Sequence, residues 1–172
     1  MRAIRVAVVL SLLTAAWSAA ADVGMSFLLV ERNFQMHGAA FDASGPGEGV
    51  ALDFGAADWR WRPEVTFFHA AGLSSDDGQQ EYALGLARLW GQDKTVFRLS
   101  GGIAQIDTFD GSREAWASGA YLRASLLWLL GARFSLGLTA RALEGGDVMV
   151  SGEQLAVDYS QFGMVVNWRL GH

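Results

Sequence analysis

The chain has 172 residues, enough for one domain, and no cysteine, so no disulfide braces it. A net charge of −5 and the lack of a basic stripe argue against nucleic acid as a partner. Hydrophobic residues make up 51% of the chain, high for a soluble exported domain, yet after residue 21 no apolar run is long enough for a spanning helix.

Residues 1–21 read as a secretory signal peptide. Arg2 and Arg5 form a positive start, Val6 to Trp17 an apolar stretch, and Ala19-Ala20-Ala21 a small-residue cleavage site. An uncleaved N-terminal anchor is the alternative, but the stretch is short for a membrane span. Residues 22–172 are then the mature domain.

From Asp22 onward the hydrophobic period is two, the mark of strands with chemically different faces. Met25, Phe27 and Leu29 open the series with the weakest alternation. Val50, Leu52 and Phe54 follow, then Trp61, Val65 and Phe67, then Tyr82, Leu84 and Leu86, then Phe97, Leu99, Gly101 and Ile103. A long run from Trp116 to Leu130 and another from Phe134 to Ala140 precede Phe162, Met164, Val166, Trp168 and Leu170. Eight strands are predicted, near 23–33, 48–55, 60–70, 80–90, 95–107, 115–129, 133–144 and 154–170. The connections "GAADW", "GQDK" and "LGAR" are short. Those between them are mostly longer and rich in Gly, Ser and Asp. An even number of strands with short turns at one end and longer loops at the other predicts an all-β fold: an eight-stranded antiparallel up-and-down transmembrane β-barrel.

Periodicity does not say which face points outward, since a soluble lipocalin-like barrel alternates too. The second face is built of Gly, Ala, Ser and Thr with arginines and acids, not the Lys and Glu of a solvated surface. The chain has one lysine, Lys94, against twelve arginines. The apolar face also gathers its aromatics at the short-turn ends: Phe54, Trp61, Trp90, Phe97, Trp128, Phe134 and Trp168. A shared height fits an interfacial girdle in lipid.

The last strand carries a further pattern: a polar residue, then Gly two positions on, then alternating apolar positions. It reads Gln161, Phe162, Gly163, Met164, Val165, Val166, Asn167, Trp168, and it resembles the C-terminal assembly signal of bacterial outer-membrane barrels. Leu170 stands where the family has a terminal aromatic, and Gly171-His172 extend past it. With the signal peptide, the strands and the girdle, the whole mature chain resembles the small eight-stranded bacterial outer-membrane β-barrel family. That resemblance implies an outer-membrane location, lipid and lipopolysaccharide as surroundings, and the barrel-assembly machinery as a partner that reads Gln161, Gly163, Val166, Trp168 and Leu170. A monomer is expected.

An eight-stranded barrel is just wide enough for its own side chains. Asp53, Arg62, Glu64, Glu81, Arg98, Arg123, Arg141, Asp158 and Arg169 are placed on the inner face as a charge network that plugs the lumen. A narrow ion path is the alternative reading. The partner of Arg123 is expected among Asp158, Glu64 and Glu81.

For catalysis, His37 in the first outer loop with Ser74, Ser75 and Asp76 in the second loosely resembles lipid A palmitoyltransferase barrels. The pattern of lipid A deacylases, His followed two residues later by Ser, is missing at both His37 and His69. No catalytic residue, metal site or cofactor is assigned, and a non-enzymatic structural or surface-interaction role is expected. The outer loops are expected to be acidic. Asp42, Glu48, Asp76, Asp77, Asp107, Asp110, Glu114, Glu144, Asp147 and Glu153 stand there against Arg113 alone. That is a solvated surface or a divalent-cation bridge to lipopolysaccharide phosphate, with no calcium-loop spacing.

Overall fold

A computed structural model describes residues 22–36, 44–55, 59–71, 77–110, 113–150 and 153–170. The expected signal peptide, His37, Asp42, Ser74, Ser75, Asp76 and the last two residues lie outside them. The described residues form eight antiparallel strands: β1 (Asp22–Met36), β2 (Gly45–Gly55), β3 (Arg62–Ala71), β4 (Asp77–Gln92), β5 (Thr95–Asp110), β6 (Arg113–Leu129), β7 (Phe134–Val150) and β8 (Glu153–Leu170). Each pairs with its sequence neighbours, and β8 pairs with β1 from Val23↔Leu170 to Met36↔Val157, so the sheet closes on itself. Closure leaves no open sheet edge, the condition for strands surrounded by lipid.

The apolar parity points outward. On β6, Leu122, Leu126 and Trp128 are exposed, while Tyr121, Arg123, Ser125 and Leu127 are buried. The girdle aromatics Trp61, Trp90, Phe97, Trp128, Phe134 and Trp168 are all exposed, with Phe54 half-exposed. Some pair directly across strands: Trp90↔Phe97, whose rings lie 5.7 Å apart, and Phe134↔Trp168. Moving away from this end, outward positions stay almost entirely apolar and then turn polar on every strand. The change comes at Glu31, Glu48, His69, Gln80, Gln105, Ser118, Glu144 and Ser160. The apolar stretch below it is the length of a tilted membrane-spanning strand, about 9–11 residues.

Three expectations are corrected. First, the strands run past this polar boundary, so most of the longer connections shrink. Only residues 111–112 separate β5 from β6, and only 151–152 separate β7 from β8. Toward these ends Gly, Ser, Asp and Glu interrupt the apolar alternation in the sequence while backbone pairing continues. Glu48, Asp77, Asp107, Asp110, Glu114, Glu144, Asp147 and Glu153 are therefore strand residues. Second, Asp158 is on the outside and exposed. It lies an even number of positions from Phe162 and shares its outward parity. Third, strand β1 turns further apolar residues inward, Leu28, Val30 and Phe34, which is why its alternation is weak.

The register makes a specific expectation. Leu138→Arg should destabilise the barrel in bilayers by roughly 2–4 kcal/mol if Leu138 lies near the midplane, as measured by urea unfolding in vesicles. Thr139, buried beside it and bonded to Ser125 Oγ at 2.9 Å, faces away from the band. The neighbouring inward Gly137 is no neutral control, because a Cβ there would fall 1.9 Å from the Leu126 carbonyl oxygen.

Candidate functional site: the charged lumen

Inward parity brings five arginines, Arg32, Arg62, Arg98, Arg123 and Arg141, together with three acids, Asp53, Glu64 and Glu81, all buried. They form a ladder that starts at the short-turn mouth. Asp22 bridges Arg62 (3.1 Å) and Arg169 (3.2 Å). Arg62 Nε donates to Asp53 at 2.6 Å, and Arg98 reaches Asp53 at 2.9 Å. Gly24, the cross-strand partner of Asp53, leaves room for that carboxylate, since a Cβ there would sit 2.4 Å from Asp53 Oδ2. Arg98 also pairs with Glu64, and Glu64 pairs in turn with Arg123. Tyr121 donates its hydroxyl to Glu64 at 3.3 Å, and Arg123 Nε donates to Ser100 at 3.2 Å.

A second cluster lies toward the outer end. Arg141 pairs with Glu81, which also accepts from the Tyr159 hydroxyl (2.9 Å) and Gln161 Nε2 (3.4 Å). Arg32 donates to Gln79 Oε1. The Arg141 guanidinium lies 4.2 Å from the Tyr121 ring centroid, a cation–π contact that joins the two clusters. Register places Arg32, Gln161, Arg141 and Arg123 side by side on β1, β8, β7 and β6. Like charges in such a row repel, and Glu64 and Glu81 on the facing wall offset that repulsion. Phe34, Ile106, Tyr121, Leu143, Val157 and Tyr159 pack together in the outer half of the interior. At the other mouth a cavity of about 300 Å³ is bounded by Leu89, Val96, Leu127, Ser135, Asn167 and Arg169.

Of the charges expected in the lumen, Asp53, Arg62, Glu64, Glu81, Arg98, Arg123 and Arg141 are brought into one interior. Arg169 joins it at the mouth through Asp22, and Asp158 does not join it. Glu64 is the partner of Arg123. Sequence reading missed Arg32, Asp22, Gln79, Tyr121 and Tyr159. Parity alone indicates Arg32, two positions from each of the inward-facing Val30 and Phe34.

In the last strand Gln161 and Gly163 face in, while Val166, Trp168 and Leu170 face out. Gly163 has a packing reason of its own: a Cβ there would lie 2.1 Å from the Leu29 carbonyl oxygen across the β1–β8 seam. His69 stands outward between Glu48 and Gln80. Among the described residues no three His, Asp or Glu gather to hold a metal ion.

No family model matches the sequence, and no curated protein matches it. Solved structures do. The attachment invasion locus protein Ail of Yersinia pestis superposes with a TM-score of 0.61 at 9% identity, covering 87% of this chain and 98% of that one. Neisserial surface protein A gives 0.58 at 9% identity, with 88% and 98% covered. The N-terminal β-barrel domain of Pseudomonas aeruginosa OprF gives 0.59 at 10%, with 87% and 97% covered. The chain has the fold of the small eight-stranded outer-membrane β-barrels. Ail has also been solved with the heparin analogue sucrose octasulfate. At these identities the likeness of this barrel to its neighbours is one of fold.

Proposed function

We propose that the protein is a non-enzymatic bacterial outer-membrane barrel, inserted as a monomer through the barrel-assembly machinery, with a structural or surface-interaction role and an interior closed to ions. The observation that carries this reading is the unbroken series of ion pairs from Asp22 to Arg123, buried from Arg62–Asp53 onward, and continued by Arg141–Glu81. Side chains that pair across the interior occupy the space an ion would need. The outward apolar band and its aromatic ring support the membrane location. Beyond the band the exterior carries Glu31, Glu48, Glu144 and Asp158. Such a surface suits a basic partner, or lipopolysaccharide phosphate bridged by divalent cations, and does not suit a polyanion of the heparin kind.

The test is conductance in planar bilayers. The expected result is little or no steady current at moderate voltage. A large, stable, ohmic channel would overturn the closed interior and promote the narrow-porin reading. The interior also fixes the selectivity such a channel would show. The buried side-chain atoms without a protein partner, Arg32 Nε, Gln79 Nε2, Arg98 Nε, Arg123 Nη1 and Arg141 Nε and Nη2, are all donors. With five buried arginines against three buried acids among the described residues, any residual current should favour anions over cations in a salt gradient.

A further inference from the structure

We propose that Arg88, held between Trp61 and Trp90 on the outer face of the barrel, binds the phosphate of a phospholipid headgroup in the leaflet at the short-turn end. This rests on the outer-membrane reading above, in which short turns face the periplasm. Arg88 shares the outward parity of β4 with Trp90 and Leu86 and is half-buried. It is the only charged side chain among the described outward positions between the aromatic ring and the polar boundary. Its guanidinium carbon lies 5.6 Å from the Trp61 ring centroid and 4.8 Å from that of Trp90.

Two indole faces offset part of the cost of a cation at this depth, and they also fix its orientation. They leave its N–H donors unused. Arg88 has no hydrogen bond or ion pair with another described residue, unlike the arginines of the lumen. A planar fork of donors, held one outward step inside the interfacial aromatics, matches a phosphate diester with acyl chains lying along Leu86 and Leu84. Water alone would call for a longer reach toward the turn, whereas the aromatic clamp keeps the guanidinium level with the headgroups.

The test is native mass spectrometry of the full-length folded barrel released from neutral detergent micelles doped with phosphatidylglycerol. Heat-modifiable migration and insertion into vesicles are recorded for every variant. Wild type should retain one lipid. Arg88→Leu should insert normally but retain about tenfold less, the loss of one charge-assisted contact. Arg60→Leu, the same charge change at the exposed turn before β3, should retain lipid like wild type. Equal retention by Arg88→Leu and wild type, or none by wild type, would overturn the site while leaving a barrel that inserts. Displacement of the lipid by millimolar inorganic phosphate would show a free-phosphate site and overturn the lipid assignment. Failure of wild type to insert would instead refute the membrane reading on which the site rests.

Discussion

Replacing Glu64 with alanine is expected to destabilise the folded barrel by roughly 3–5 kcal/mol in urea unfolding from lipid vesicles, the cost of breaking a buried ion pair from one side. Glu64 is the shared partner of Arg98 and Arg123 and accepts from Tyr121. Without it Arg98 keeps Asp53 and the Ser26 hydroxyl, but Arg123 is left with only the Ser100 and Thr66 hydroxyls. Arg123→Ala should cost less, because Glu64 retains Arg98. Replacing Glu64 and Arg123 together by methionine should cost less than Glu64→Met alone, since the pair leaves with its desolvation penalty. If the single and double replacements proved equally mild, the charges would be solvated and a water-filled path would be the better account of the interior.

Deleting Gly163 to His172 is expected to abolish the folded barrel in the outer membrane and leave exported, unfolded protein in the periplasm. The deletion removes the pairing of β8 with β1 from Val23 to Val30 and with β7 from Phe134 to Thr139. Two strands would then show open backbone groups at membrane depth, which hydrocarbon does not tolerate. Trp168→Ala removes only a girdle side chain that faces Met25 and Phe134 across the two seams, so its effect on insertion separates recognition of the strand from its pairing. Heat-modifiable barrel in outer-membrane fractions after the full deletion would end the assembly-signal reading.

Much of this was legible in the chain itself. Period-two alternation placed the strands because within the lipid band nearly every outward residue is apolar, Arg88 excepted, and every inward one must fit a narrow interior. Where those constraints lapse, legibility lapses too. The segments ending β5 and β7 carry Asp107 and Asp110 in one, and Glu144, Gly145, Gly146 and Asp147 in the other, and look like loops in the sequence, yet their backbones stay paired. Strand β1 is apolar on both faces, which hid the inward Arg32. The placement of Asp158 failed on parity alone. The partners inside the lumen were out of reach for another reason. Glu64 meets Arg123 across β3 and β6, and Glu81 meets Arg141 across β4 and β7, contacts fixed by how the whole tube closes. His37, Ser74, Ser75 and Asp76, whose loose resemblance to an acyltransferase layout assigned them no catalytic role, lie outside the described residues.

The interior pairs also have a mechanical meaning. A tube held only by bonds between adjacent strands can flatten into an ellipse when the surrounding bilayer squeezes it, because no such bond spans the bore. Here Arg98 reaches Ser26 from β5 to β1, Arg32 reaches Gln79 from β1 to β4, and the two glutamates tie β3 to β6 and β4 to β7. These are chords across the circle, and they resist ovalisation as spokes do. The stiffening is uneven. Among the described residues no such bond crosses the 300 Å³ space beside Leu127, Ser135 and Asn167, so the wall from β6 to β8 at the turn end is the side that should yield first under lateral pressure.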